Sequence, residues 1–448
     1  MSVENDVYKK LNSVEIISII LKSDQGGETD LFNNKQIKHI SIFEDVYTNC
    51  MSGYAMVVDA QNMINHFPII GQETIIISFR TPGFNNDYRE LEFEVYAVSD
   101  RTKSGNDKSE IYKLSFISKE YRLSETTNIS KSISGTIANM VLDIFENNFP
   151  DAKALAVETF GEYKYIIPNW KPLETIDWLS ERCVTDEAPH EANYVFFQNK
   201  NGYQFFPLSF LSRQGSSSLY EMAPAGVGDD ISSSPNLYVK FFNIQNIEIF
   251  NSFDRLTELN MSTYSSNLIV QDSLKKSFTK TGRTYITSFD DTTRTVDYPY
   301  LPTVNRYSGN TNSVSTIKSR HTNLYDDYEN VQEYENWFLK RKATLSEYDT
   351  LKIKITVSGN SKLDAGDCVN INIPTNEPLT RLDANWNDKH LSGKYLITSI
   401  RHSIDTLGVG NEYLCVMELS RCGNVEQVSD KNIFLGKGEE NSDKRFMK

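Results

Sequence analysis

Histidines, cysteines and paired carboxylates are the side chains that do most protein chemistry, and in this 448-residue sequence they do not converge. The six histidines, His39, His66, His190, His321, His390 and His402, are scattered, and none pairs with another at the i, i+4 spacing of a helical zinc site. The five cysteines, Cys50, Cys183, Cys368, Cys415 and Cys422, contain no C-x-x-C pair and read as reduced, partly buried thiols. Asp383, Asn385 and Asn387 open like a calcium loop. Asp388, however, stands where that loop needs Gly, and Lys394 stands where it needs a bidentate Glu. There is no G-x-S-x-G elbow, and GVGDD and GVGNE lack the rest of a phosphate cradle, so both read as turns. The two carboxylates of a glycosidase meet only in the fold, and with 60 acidic residues any sequence pair is uninformative. Phe205-Phe206, Phe241-Phe242 and Trp337-Phe338 read as packing aromatics that could also face a sugar or a partner subunit. The expectation is a non-enzymatic protein with no catalytic, cofactor-binding or metal residues.

Charge narrows the partners. The 46 basic residues against 60 acidic ones give a net charge of −14, and no dense Lys/Arg block offers to displace counterions from a nucleic acid. An acidic surplus serves solubility, and it would also let DNA pass without sticking. The opening MSVENDVYKKLNSVEII breaks any apolar run with polar residues, and no stretch approaches the roughly 20 apolar residues that span a bilayer. The expectation is a soluble chain made in a cytoplasm, with no membrane anchor.

The elements that would position any site are mostly strands. Leu91, Phe93 and Val95 alternate with Glu92 and Glu94, and Tyr112, Leu114 and Phe116 alternate with Lys113 and Ser115, which is the strand period. Tyr54 to Asp59 and Thr74 to Phe79 read as two more strands, punctuated by Pro68, Gly71 and the turn Thr81-Pro82-Gly83. From Ser132 the period becomes helical, with Ile133, Ile137, Met140, Val141, Ile144 and Phe145 on one face behind a Ser132 or Ser134 cap. In NWKPLETIDWLSERC, Pro172 suits a first helical turn, and Leu173, Ile176 and Leu179 line one face. Ser212 to Pro235 reads as an exposed loop, and Lys280 to Asn323 as extended or mobile chain. A helix is expected from about Tyr328 to Leu345, followed by a strand-dense block opening at Leu351, Ile353, Ile355 and Val357.

The two β-rich ends share an order of parts. Gly71-Gln72 and Gly366-Asp367 each introduce a strand, and FEVYAVSDR with IYKLSFISKE corresponds to KYLITSIRH with EYLCVMELSR. The inward faces after the two glycines are offset by one position. This weak repeat suggests two related barrels or sandwiches.

At the C-terminal block, LKIKITVSGNSKLDAGDCVNINIP, LSGKYLITSIRHSI and EYLCVMELSR resemble the final barrel of the baseplate hub proteins of contractile-tailed, T-even-like phages, a family shared with type VI secretion spike proteins. YKLSFISKEYRLSETTNISKSISGTIANMVLDIF is similar to that family's passage from first barrel to helix, IIPNWKPLETIDWLSERC to its Asn-Trp-x-Pro helix start, and LTELNMSTYSSNLIVQDSLKKSF to the opening of its second barrel. The Gly that precedes the family's Tyr-Ser-Ser segment is replaced by Met261 or Ser262. Gly359 and Asn360 fit a turn needing positive φ, Gly366 before Asp367 a tight turn into a strand, and Gly393 a bend or bulge. With Gly71, Asn169, Trp170 and Pro172, these residues read as specifying the fold.

The resemblance implies a mainly β (α+β) fold with two tube-like β-barrel domains and an inserted helix-containing domain. The expected division is a first barrel at 1–120, the helical insertion at 121–235, a second barrel at 236–275 and 345–422, a second insertion at 276–344 and a charged tail at 423–448. It also implies a homotrimer that forms a pseudo-six-fold ring, joins a three-fold central spike to a six-fold tail tube and leaves a channel through which DNA passes without specific binding. Implied partners are the spike, the tube or a tube-initiator protein, the tape measure and the baseplate wedge proteins. The implied place is the virion, after assembly in the host cytoplasm. A tail-associated peptidoglycan hydrolase and a glycan-binding tail protein are the competing classes.

Overall fold

The computed structural model describes residues 12–67, 69–82, 88–103, 109–187, 190–222, 240–261, 263–273, 275–284, 314–320, 334–375, 387–406 and 411–423. The expectations for Gly83, Ser262, His321, Asp383, Asn385, GVGDD, most of GVGNE, nearly all of the 423–448 tail and most of 285–333 lie outside these residues.

The fold is mainly β. Its first part carries β1 (Glu15–Lys22), β2 (Glu28–Asp30), β3 (Ile37–Asp45), β4 (Ser52–Asp59), the short helix α1 (Met63–His66), β5 (Thr74–Arg80), β6 (Arg89–Lys103) and β7 (Glu110–Ile117). Strand alternation is the cause: in β4, Gly53, Ala55, Val57 and Asp59 point inward while the residues between them are half-exposed.

A helical middle follows, with α2 (Lys119–Thr126), β8 (Ile129–Gly135), α3 (Ile137–Asn148), β9 (Ala154–Ala156), β10 (Tyr163–Trp170), α4 (Pro172–Ser180), β11 (Tyr194–Asn199), β12 (Gly202–Pro207) and α5 (Leu208–Arg213). Its own core gathers Ile137, Val141, Ile144 and Phe145 of α3 with Leu173 and Ile176 of α4 and the β11 and β12 aromatics. The helix expected from Ser132 starts five residues later. Ser130 to Gly135 alternate as a strand paired with β10, and Thr136 caps α3 by accepting from the Asn139 N–H at 3.4 Å.

The last part contains β13 (Ser216–Glu221), β14 (Asn246–Asn251), α6 (Arg255–Asn260), β15 (Ser265–Asp272), β16 (Ser277–Thr284), β17 (Val314–Arg320), α7 (Tyr334–Tyr348), β18 (Leu351–Ser358), β19 (Cys368–Asn372), β20 (Gly393–Asp405) and β21 (Glu412–Arg421). The Ser-rich stretch expected to loop from Ser212 contains β13, which pairs in parallel with β19. Strands β16 and β17 flank β15, and α7 covers that small sheet through Leu339.

One large sheet joins the two ends of the chain in the order β14-β18-β21-β20-β3-β4-β7-β6-β5-β1-β2, with β19 and β13 continuing from β20. Two modules can be read in it. The run β3-β4-β7-β6-β5 in the first is matched strand for strand by β14-β18-β21-β20-β19 in the second, and every neighbouring pair in both runs is antiparallel. One bulge is shared, at Tyr96 in β6 and at Thr398 in β20, while β6 carries a second, between Ser99 and Thr102, that β20 lacks. The modules differ at the next position, where β1 is antiparallel to β5 but β13 is parallel to β19. Both modules contribute to one continuous apolar core.

Candidate assembly site at the seam between the modules

The modules meet where β3 pairs antiparallel with β20, from Asp45 opposite Ser399 to His39 opposite Asp405. Inward-facing Ile40, Ile42, Ile400 and Ile404 are fully buried there. Burying four such side chains contributes on the order of 6–12 kcal/mol in transfer terms, an upper bound before chain entropy.

Beneath this seam lies a sealed cluster of charge. Arg89 of β6 bonds to Glu44 of β3 and stands 3.0 Å from Asp364, in the loop after β18. Lys200 reaches the other Asp364 oxygen at 2.9 Å. His402 of β20 lies 3.4 Å from Glu44, and its Nδ1 faces the Tyr413 hydroxyl at 2.6 Å. The Arg89 guanidinium also donates to the Leu363 carbonyl at 3.1 Å, and Glu44 accepts from the Ala365 N–H at 3.1 Å. Thr81 and Ser361 exchange hydrogen bonds across the same boundary, at 3.1 and 2.9 Å.

The electrostatics follow from burial and from Arg89. Burial pushes Glu44 up, but Arg89 and His402 beside it outweigh that and hold it below the usual carboxylate range. Asp364, with burial dominant, rises to about 6. His402 is pushed down, first by burial and then by the Arg89 charge. A His, a Tyr, an Arg and two carboxylates could do acid–base work in an open cleft. Here Glu44, His402 and Tyr413 are closed to solvent, so the cluster can fix the modules' relative position but has no route for a substrate. The buried thiols are similarly unsuited to attack, since burial pushes Cys50 up to about 12 and Cys368 and Cys415 up to about 11.

The residues expected to specify the fold are spread over both modules and the helical middle. Gly71 and Gly366 adopt φ of 90° and 93°, and a β-carbon on Gly366 would come 3.0 Å from the Phe197 ring. Gly393 has φ of 136°. Gly359 and Asn360 depart from expectation, because neither has positive φ. A β-carbon on Gly359 would instead overlap the Tyr413 ring, so close approach is what requires glycine there. Asn360 is buried, with its Oδ1 accepting from the Lys362 N–H at 3.0 Å. Asn169 takes φ of 56° at the β10 bulge, the Trp170 ring meets Trp178 edge-on at 5.4 Å, and Pro172 opens α4.

The strand registers equate Gly366-Asp367 with Gln72-Glu73, one residue on from the sequence alignment, which removes the offset of the inward faces. The repeated feature is thus the carboxylate. Asp367 accepts from the Asp364 N–H at 3.1 Å, as Glu73 does from the Ile70 N–H at 2.8 Å. Glu73 was missed because Asp and Glu reach the same donor from different backbone geometry.

Elsewhere, a cleft of about 280 Å³ is lined by Glu158, Asp186, Glu187, Glu191 and Arg213. Among the described residues no group of three His, Cys, Asp or Glu side chains could hold a metal ion, and no helix is long and apolar enough to cross a membrane.

This architecture, two matching strand modules joined through one seam with a helical middle between them, is a fold shared with two solved tail proteins. The chain is similar over 92% of its length to 99% of a tail protein from Neisseria meningitidis MC58, with a TM-score of 0.53 and 10% identity. It is similar over 91% of its length to 98% of the 43 kDa tail protein of prophage MuSo2 from Shewanella oneidensis, with a TM-score of 0.53 and 13% identity. No family model and no curated protein sequence matches the chain.

Proposed function

We propose that this protein is a structural subunit of a phage tail baseplate hub. Three copies form a ring of six similar modules, which meets the six-fold tail tube on one side and a three-fold central spike on the other. The observation that carries this reading is the internal repeat. One chain holds the same antiparallel five-strand run twice, in the same strand order, so a three-fold ring of such chains offers a near six-fold face. The shared fold of the two tail proteins supports the same setting. Its work is done by interfaces: the Arg89 cluster sets the angle between modules within a chain, and DNA passes through the bore without specific binding, aided by the acidic surplus.

The partners in this reading are two further copies, the spike, and the tube or a tube-initiator protein, with tape measure and wedge proteins around them. Assembly takes place in the host cytoplasm and the product resides in the virion. Cryo-electron microscopy of the purified protein tests the reading. Six similar lobes around a bore, three of them carrying the helical domain, are expected; a particle with no rotational symmetry at any concentration, alone or with tube protein, refutes it. The competing hydrolase reading would use the carboxylate-lined cleft at Glu158 and Glu191, and clearing of cell-wall substrate in a zymogram would favour it.

A further inference from the structure

The cleft beside α5 has an apolar floor and an acidic rim. Val157, Pro207 and the Phe210 ring, 40% exposed, form the floor of its roughly 280 Å³. Above them stand Glu158, Asp186, Glu187 and Glu191 against one cation, Arg213, which donates to Glu187 at 3.3 Å. The rim is held in place, because the Glu191 N–H donates to the Thr185 hydroxyl at 2.8 Å and the Thr185 N–H to the Glu191 carbonyl at 2.9 Å. Glu158 and Asp186 have no side-chain hydrogen bond or ion pair among the described residues. A groove that is apolar below and negative above is complementary to a segment carrying large apolar side chains between cations.

The chain contains such a segment. Lys444, Arg445 and Lys448 enclose Phe446 and Met447, and no other five-residue stretch outside the described residues holds three cations. The fold delivers the chain close to the cleft. Ser420 of β21 pairs with Leu396 of β20, Leu396 pairs with Cys368 of β19, and the Cys368 thiol donates to the Leu211 carbonyl of α5 at 3.3 Å. The end of β21 is thus separated by two strand spacings of about 5 Å each, and one side chain, from the helix that supplies Phe210 and Arg213. Residues 424–443 span at most about 70 Å, more than the distance to be covered. A tether of that order gives an effective concentration on the order of a millimolar, so a weak contact is sufficient.

We propose that Lys444–Lys448 docks in this cleft of its own chain, with Phe446 or Met447 on the Phe210 floor and the three cations against the rim carboxylates. Four acids against Arg213 leave three negative charges, which the segment's three cations match. The contact ties the second strand module, where β21 ends, to the helical middle, where α5 lies. It is independent of the proposed hub function.

Carbodiimide cross-linking of the full chain at low salt, read by peptide mass mapping, tests it. Amide links from Lys444 or Lys448 to Glu158 or Asp186 are expected, and they should disappear at 1 M salt. A mixture of isotopically labelled and unlabelled chains should give links within one label only. Hydrogen exchange supplies a second measurement: replacing Lys444, Arg445 and Lys448 by Glu should speed amide exchange in α5 and at Thr185 and Glu191 several-fold. Glu158→Lys with Asp186→Lys should speed α5 exchange equally, and joining both sets of substitutions in one chain should restore the slow exchange, which a mere loss of folding does not do. Links to other sites, links between labels, exchange that the tail substitutions leave unchanged, or failure of the combined charge reversal to restore it overturns the proposal. Links between labels would assign the cleft to a second copy, and unchanged exchange would leave it open to a basic segment of another protein.

Discussion

In the first module Gly53 of β4 lies under the Phe116 ring of β7, whereas at the matching place in the second module Ile353 of β18 faces Leu419 of β21. The two modules keep the same backbone run and exchange volume between neighbouring strands, the large side chain on one strand in the first and shared between two in the second. They also differ in what holds the first strand of each run. Ser41 and Tyr54 of the first module take hydrogen bonds from Arg401 across the seam, at 3.0 and 3.2 Å. Their counterparts Glu248 and Lys354 form an exposed ion pair at 3.1 Å. The duplication is thus one of backbone pairing, with side chains fitted separately to a buried joint and to an open edge.

The largest effect is expected where the modules are not equivalent. Arg89 has no charged counterpart, since the matching position, two residues before β20, is Leu391. Arg89→Met leaves Glu44 and Asp364 buried without their shared cation, which should cost about 3–5 kcal/mol. Urea unfolding followed by fluorescence measures it. A loss below about 1 kcal/mol would mean that the cluster does not hold the modules together.

Volume exchange gives the next largest effect. A β-carbon at Gly53 would overlap both the Phe116 ring and the Ser41 carbonyl oxygen, so Gly53→Ala should cost about 1–3 kcal/mol through overpacking. Adding Phe116→Leu, the residue that the second module uses, should recover only part of that loss, because the Ser41 backbone cannot withdraw. A double-mutant cycle checks it; strictly additive costs would show that the two positions do not exchange volume.

How far the sequence revealed this follows from the same contrast. Strands β4 to β7 and β18 were legible because one face of each is buried and the residues alternate accordingly. Strand β13 was not, since its only fully buried side chain is Tyr220 and the rest of Ser216–Glu221 is as polar as a loop; pairing with β19 makes it a strand. The helix α3 began late because Ile129 and Ile133 satisfy a strand period as well as a helical one. The charge cluster left no local sign at all. Glu44, Arg89, Asp364 and His402 lie far apart in sequence and look like surface residues until the sheet brings them together. At Gly359 the structure gives a different reason for glycine from the expected turn, because a ring packed on a backbone reads in sequence like a turn.

A pH series sharpens the comparison further. Asp364 has its folded pKa raised to about 6 by burial, against 3.8 for the free side chain, so the native state holds the extra proton between those values. Stability contributed by this group is therefore present at low pH and falls as pH rises from about 4 to about 6. His402, held low, works in the opposite sense, losing stability as pH falls below 6.5, and Glu44 does so below about 4.5. Subtraction isolates Asp364: the stability of the unsubstituted protein minus that of Asp364→Asn should decline across pH 4 to 6 and be level above about 7. A difference that is flat across pH 4 to 6 would show that Asp364 is not the buried acid of the cluster.

The smallest effect belongs to the open edge. The Glu248–Lys354 pair joins β14 to β18 in solvent, where screening and side-chain entropy offset most of the Coulomb attraction. Lys354→Ala should cost the single chain no more than about 1 kcal/mol. Salt should weaken even that, because the Debye length shrinks to about 3 Å at 1 M. Arg401→Ala, at the matching face of the seam, removes partly buried donors to Ser41 and Tyr54 and should cost more, with little response to salt. Measuring both variants at low and high salt compares an open edge with a closed seam. Equal costs with equal salt dependence would mean that the strand joint protects its polar contacts no better than solvent does.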